Sequence, residues 1–218
     1  MARKNLIRSQ YFPYHVVNRC NNREWFHLPL EQVWQLTTQE LYRISLLYGI
    51  ETHAFVLMSN HFHLLVTTPS DDLGKVMQDF SASVTRTFNR VSGRSGHLFG
   101  GRYKWSQIRS PLYYATALKY VYRNPVRAGI VDKVESYPFS TLSGLLGNSH
   151  LPVPLHYPRP DNQELSFVPR ESDDFVDWFN QPFSKEIQEA LDKGFRRKLF
   201  ELPRDRKTGK VLELEAPF

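Results

Sequence analysis

The chain has 218 residues, 41% hydrophobic and 23% charged, with a formal net charge of +6, which is the composition of a globular protein with core enough for one domain and an appendage. It contains no run of about eighteen apolar residues and no apolar leader after Met1-Ala2-Arg3-Lys4-Asn5, so the expectation is a cytoplasmic protein without a membrane span. A single cysteine, Cys20, excludes an internal disulfide and a cysteine-based zinc cluster.

The first strand is expected at about Tyr14 to Arg19, followed by a turn at Asn21-Asn22. A helix over about Leu30 to Tyr48 follows from the helical spacing of Val33, Leu36, Leu41, Ile44 and Leu47, and Gly49 stops it. Thr52 to Leu57 and His61 to Thr67 make a hairpin around Ser59-Asn60. A second helix, about Asp72 to Val91, carries Leu73, Val76, Met77, Phe80, Val84 and Phe88 on one stripe, with Asp71 or Asp72 as its N-cap. Ser92 to Gly96 is a loop, and Arg102 to Arg109 can form a fourth strand.

Strand, helix, strand, strand, helix, strand is the order of a ferredoxin-like α+β fold, the split βαβ antiparallel sheet with both helices on one face. A third helix begins after Ser110-Pro111, with serine as N-cap and proline at the first position, and is expected to end near Asn124 because of Pro125. It would cover the other face of the sheet.

The hairpin's second strand carries the most suggestive pattern. His61, His63 and Leu65 alternate with Phe62, Leu64 and Val66, so the two imidazoles share the face that the third helix covers. On that helix, Tyr114, Leu118, Val121 and Tyr122 form an apolar stripe, whereas Tyr113, Ala117, Tyr120 and Asn124 form a second one in which Tyr120 precedes Asn124 by one turn. Singly, each residue has an ordinary structural reading: a polar hairpin face, a half-buried tyrosine, a helix-ending asparagine. Jointly they suggest a His, His, Asn metal site beside a tyrosine nucleophile.

Charge is unevenly placed. Residues 1–150 hold 17 Lys and Arg against 9 Asp and Glu, a net of +8, whereas residues 151–218 hold 11 against 13, a net of −2. No acid lies between Asp79 and Asp132, a stretch that contains Arg86, Arg90, Arg94, Arg102, Lys104, Arg109, Lys119, Arg123 and Arg127. Such a run fits a polyanionic partner, and Phe88, Phe99, Tyr103 and Trp105 between the cations could stack on unpaired bases.

His61-Phe62-His63 resembles the paired-histidine motif of the single-tyrosine HUH transposases. Tyr120-Val121-Tyr122-Arg123-Asn124-Pro125-Val126-Arg127-Ala128-Gly129 resembles the tyrosine helix of their REP-associated, IS200-like branch. Tyr14 to Arg19, His97 to Lys104 and Tyr137 to Thr141 are also similar to that branch, so the likeness runs in order from roughly Tyr11 to Leu146. Cys20 stands where many members have glycine.

The resemblance implies a ferredoxin-like catalytic domain over residues 1–150 that cuts and rejoins single-stranded or hairpin DNA through a 5′-phosphotyrosine. Tyr120 corresponds to the nucleophile, and His61, His63 and Asn124 to ligands of Mg²⁺ or Mn²⁺. The two imidazoles themselves would suit Zn²⁺ or Ni²⁺ at least as well as Mg²⁺; the choice of metal comes from the family. A monomer is expected by analogy with the branch.

Two other readings fit parts of the pattern. A non-catalytic single-strand binder would need the basic sheet but neither His63 nor Tyr120. A metallohydrolase fits least, because Leu64-Leu65-Val66-Thr67 offers no further ligand or base.

Residues 151–218 are expected to form an appendage. Pro152, Pro154, Pro158 and Pro160 mark an extended linker, and Phe175, Val176, Trp178 and Phe179 open a small helical unit reaching Phe200. Arg196-Arg197-Lys198 offers a further phosphate contact or a solvated helix face.

Overall fold

A computed structural model of the protein describes residues 6–70, 72–151, 153–156 and 172–202. Four strands, β1 (Tyr14–Arg19), β2 (Glu51–Leu57), β3 (His61–Thr67) and β4 (Lys104–Gln107), form one antiparallel sheet in the order β2-β3-β1-β4. Helices α1 (Leu30–Tyr48) and α2 (Leu73–Ser92) cover one face. Helices α3 (Pro111–Arg127), α4 (Thr141–Leu145), α5 (Ser172–Asn180) and α6 (Lys185–Gly194) follow, and the other face packs against α3, α5 and α6. The fold is the expected α+β, ferredoxin-like one.

The period of two in β3 decides which residues meet which layer. Phe62, Leu64 and Val66 join Tyr14, Val16, Phe55 and Leu57 under α1 and α2, where full burial of each such side chain contributes about 1.5–3 kcal/mol. Leu65 joins Ala54 and Val56 under α3. His61 and His63 project from that second face, so the same alternation that builds the first core delivers the imidazoles to α3.

The ends of α1 and α2 follow local rules. Gly49 ends α1 at φ 63°, a left-handed conformation that costs glycine little. Asp72 caps α2 by accepting a bond from the Gly74 N–H at 2.6 Å. Asp71, the alternative cap, lies outside the described residues, as do Pro152, Pro158 and Pro160 of the expected linker.

Four expectations are corrected. Helix α3 does not stop at Asn124 but runs through Pro125 to Arg127; the Asn124 Nδ2 donates to the Tyr120 and Val121 carbonyls at 2.9 and 3.4 Å, and so occupies the Val121 acceptor that proline cannot reach. Strand β4 is shorter than expected, Lys104–Gln107. On α1, Leu47 faces solvent, and Thr37 and Thr38 are buried instead, their hydroxyls bonded to backbone carbonyls one turn back. Finally, Phe88, Phe99 and Tyr103 are buried in the first core and Trp105 packs edge-on against Tyr14, so these rings hold the protein together instead of facing bases.

Two stretches after α3 dock on the edges of the sheet. Val153 is fully buried, and the His156 N–H donates to the Thr52 carbonyl at 2.8 Å beside β2. At the opposite edge, Gln107 of β4 donates to the Lys198 carbonyl and accepts from the Phe200 N–H, both at 2.8 Å, which adds a short parallel bridge. Gly194 makes the fold-back possible: a Cβ there would stand 2.8 Å from the Phe200 ring. No helix among the described residues is long and apolar enough to cross a membrane.

Candidate active site

His61 and His63 lie on the α3 side of the sheet with ring centroids 5.1 Å apart. Their Nδ1 atoms are engaged: His61 Nδ1 lies 2.7 Å from Asn60 Oδ1, and His63 Nδ1 lies 2.9 Å from Nε2 of His15, whose ring stacks on that of His63 at 5.1 Å. Their Nε2 atoms have no hydrogen-bond partner among the described residues. Burial holds the His61 pKa down to about 4, with Arg19 adding to the effect, and burial likewise holds His63 well below its ordinary value. At neutral pH both rings are uncharged and can offer a lone pair.

A nearby histidine gives the contrast. His53 engages both ring nitrogens, with Thr67 Oγ1 at 2.8 Å and the Tyr114 hydroxyl at 3.2 Å, and so is a structural residue.

Tyr120 closes the site from α3. Its ring centroid is 6.0 Å from that of His63 and 5.8 Å from that of His15. Tyr122, two residues on, is turned into the core, with its hydroxyl 3.2 Å from Thr141 Oγ1. Asn124 sits one turn after Tyr120; its Nδ2 is spent on helix carbonyls, and its Oδ1 has no hydrogen-bond partner among the described residues.

This donor set fits a divalent cation. Among the described residues no cluster of three or more His, Cys, Asp or Glu could hold an ion; two imidazole nitrogens with an amide oxygen are donor types that a divalent cation accepts. On each of the three side chains the second polar atom is anchored and the prospective ligand atom is left open.

Two further residues at the site, Asp192 and Phe195, have no signal in the sequence read by itself, and Arg127, expected among the DNA-binding cations, lies here as well. Asp192 of α6 accepts a hydrogen bond from the Tyr120 hydroxyl at 3.0 Å. Arg127 grips the same carboxylate through both terminal nitrogens, at 2.7 and 2.5 Å, and lies 3.4 Å from the phenol oxygen. Phe195 packs 4.6 Å from the Tyr120 ring and 4.5 Å from His15. Burial raises the Tyr120 pKa, the Asp192 charge raises it further, and Arg127 opposes both. His15 was the findable one, because the period of two on β1 sets it opposite to Tyr14 and Val16, on the face that His63 shares.

The nine cations separate into two groups. Arg86, Arg90, Arg94, Arg102, Lys104 and Arg109 are exposed. Lys119 is buried under the rings of Trp178 and Phe183, Arg123 donates to the Phe179 and Asn180 carbonyls, and Arg127 is paired with Asp192. Helix α3 thus turns Lys119 and Arg123 toward α5, and Arg127, although exposed, is neutralised by Asp192 of α6. Arg196 and Arg197, by contrast, are exposed.

A split βαβ sheet that sets two neutral histidines against a tyrosine on its covering helix belongs to the class of tyrosine-dependent DNA strand transferases. Comparison with known families agrees: residues 9–124 match the family described as "Transposase IS200 like", and the chain belongs to that family of enzymes. It is 27% identical over 131 residues to the REP-associated tyrosine transposase of Escherichia coli K12, an alignment covering 59% of this chain and 74% of the relative. It is 30% identical over 105 residues to the "Putative REP-associated tyrosine transposase" of Haemophilus influenzae, covering 43% of this chain and 60% of the relative. The fold is similar to that of a REP-associated tyrosine transposase solved bound to a REP hairpin, with a TM-score of 0.58 and 20% identity over 73% of this chain and 92% of that one.

Proposed function

We propose that the protein nicks and rejoins single-stranded DNA beside hairpins, through a covalent 5′-phosphotyrosine at Tyr120. The observation that carries the reading is the meeting of Tyr120 with His63, ring centroids 6.0 Å apart, on a sheet face where the ligand atoms of His61, His63 and Asn124 are left open.

The Tyr120 oxygen attacks phosphorus as the P–O3′ bond breaks. The products are a phosphotyrosine and a free 3′ hydroxyl, and because one phosphoester replaces another the step can reverse onto a different strand. A divalent ion, Mg²⁺ or Mn²⁺, held by His61, His63 and Asn124 would neutralise the non-bridging phosphate oxygens and make phosphorus more electrophilic. The phenol must lose its proton, and two groups face it: the Asp192 carboxylate receives the hydrogen bond, while the Arg127 guanidinium favours the phenolate.

Tyr120 packs against His63 of its own chain, ring centroids 6.0 Å apart, which supports action in cis; a monomer is carried over from the family resemblance. The exposed cations of α2 and β4 supply a sequence-independent hold on phosphates. The relative solved with a REP hairpin supports a hairpin as the partner here.

The test is incubation with end-labelled single-stranded hairpin DNA and Mn²⁺. A covalent adduct that maps to Tyr120 is expected. DNA binding without any adduct would leave the protein a single-strand binder.

A further inference from the structure

A neutral imidazole carries one N–H and one lone pair, so a histidine can be a ligand only through the nitrogen that lacks the proton. What decides the tautomer is the partner of the other nitrogen. For His61 that partner is Asn60, and the orientation of the Asn60 amide is not free. Its Nδ2 donates to the Arg23 carbonyl at 2.8 Å, and a carbonyl can only accept. The atom 2.7 Å from His61 Nδ1 is therefore Oδ1, also an acceptor, so His61 must carry its proton on Nδ1 and keep the lone pair on Nε2.

His63 also has its Nδ1 engaged, from the neighbouring strand, by a partner that can either donate or accept. Its Nδ1 lies 2.9 Å from Nε2 of His15, a buried residue clamped between the His63 ring and the edge of Phe195. When His15 Nε2 accepts, His63 presents a lone pair on Nε2; the reverse arrangement would place a proton there. His53, with both nitrogens occupied, shows what a histidine without this division looks like.

We propose that Asn60 and His15 are positioning residues that hold His61 and His63, respectively, in the Nδ1–H tautomer, so that both rings offer Nε2 to one divalent cation. This rests on the reading of the two histidines as ligands. Asn60 lies in the β2–β3 turn and His15 on β1, so the ligand pair is set from both ends: one anchor precedes the first ligand in sequence, and the other comes from across the sheet.

Two measurements on the full chain test it. Long-range ¹H–¹⁵N NMR of the imidazoles should show His61 protonated on Nδ1 in metal-free protein and His63 protonated on Nδ1 once Mg²⁺ is added. A proton on Nε2 of either ring under those conditions overturns the assignment for that ring, whatever the variants do. The second is Mn²⁺ affinity, read from free Mn²⁺ by electron paramagnetic resonance. Removing a second-layer acceptor weakens metal binding roughly tenfold to a hundredfold, so Asn60→Ala and His15→Phe should each show a loss of that size. Asn60→Asp and His15→Gln retain an acceptor and should bind within about threefold of the parent. If Asn60→Ala and His15→Phe bind Mn²⁺ as the parent does while His61→Ala and His63→Ala do not, the positioning role is lost and the metal site stands. If the histidine variants also bind normally, both fall.

Discussion

Asp192 Oδ1 of α6 lies 3.0 Å from the Tyr120 hydroxyl of α3, across 72 residues of sequence, and the same carboxylate is gripped by Arg127. The carboxylate opposes loss of the phenolic proton and also neutralises the cation that would favour it. Asp192→Asn should therefore lower the Tyr120 pKa toward the ordinary tyrosine value, read by NMR of ¹³C-labelled tyrosine, and speed adduct formation near pH 8. The ion pair is half-exposed, so its loss should cost no more than about 1 kcal/mol of stability.

The two tyrosines of α3 separate the proposed nucleophile from the core. Positions two apart on a helix diverge by about 200°, and the Tyr122 hydroxyl meets Thr141 while the Tyr120 ring packs against His63 and its hydroxyl meets Asp192. Tyr120→Phe should fold and bind DNA normally yet form no adduct. Tyr122→Phe should still form it, at a cost of about 1 kcal/mol in thermal or urea unfolding for the lost hydrogen bond.

Cleavage should depend on the histidines far more than binding does. His61→Ala and His63→Ala are expected to abolish nicking while hairpin affinity stays within a few-fold, as measured by gel shift. Asn124→Ala should be milder, since water can replace a neutral oxygen ligand. Chelation of the parent protein should reproduce the histidine phenotype.

The division of the cations can be read in salt. Each phosphate contact on a single strand contributes about 0.7 to the slope of log K against log salt. Replacing exposed Arg90 or Arg102 by alanine should lower affinity and flatten that slope. Arg123→Ala, which removes the bonds to the Phe179 and Asn180 carbonyls, should leave the slope unchanged and destabilise the packing of α5 on α3.

Acid should destabilise the fold through buried histidines. Burial lowers the pKa of His53 to about 4 and that of His15 to about 3 from 6.5. Between those values and 6.5 the unfolded chain binds more protons than the folded one, so stability falls as pH drops from 6.5 toward 3 and is insensitive to these groups above 6.5. A tenfold difference in proton affinity between the folded and unfolded chain is worth about 1.4 kcal/mol, so each group can cost a few kcal/mol at the bottom of that window. Urea midpoints taken every half pH unit from 7.5 to 4 should show the decline, and His53→Gln should flatten it.

Local patterns were enough for much of this protein. The period of two in β3 places His61 and His63 on one face and Phe62, Leu64 and Val66 on the other, because backbone geometry alone alternates the side chains. The helical step of about 100° in α3 likewise separates Tyr120 and Asn124 from Tyr122 before any contact is known. Rules of the same local kind misled at Pro125, where the helix continues because the Asn124 side chain occupies the backbone acceptor that proline leaves empty, a compensation invisible in a residue-by-residue reading.

The surroundings of the site were decided by tertiary structure. His15 reaches His63 only because β1 pairs antiparallel with β3 in a register that opposes Val17 to His63. Asp192 and Phe195 reach Tyr120 only because the chain after α5 folds back across α3 and pairs with the edge of β4. Hydrophobic periodicity says which side of an element is buried but not against which distant element, and Asp192 and His15, which meet the Tyr120 phenol and the His63 imidazole, lie 72 and 48 residues away. The aromatics between the cations were lost to sequence reading for the same reason: Phe88, Phe99 and Tyr103 satisfy a stacking pattern and a core pattern equally, and only the packing of α2 on the sheet chooses the core.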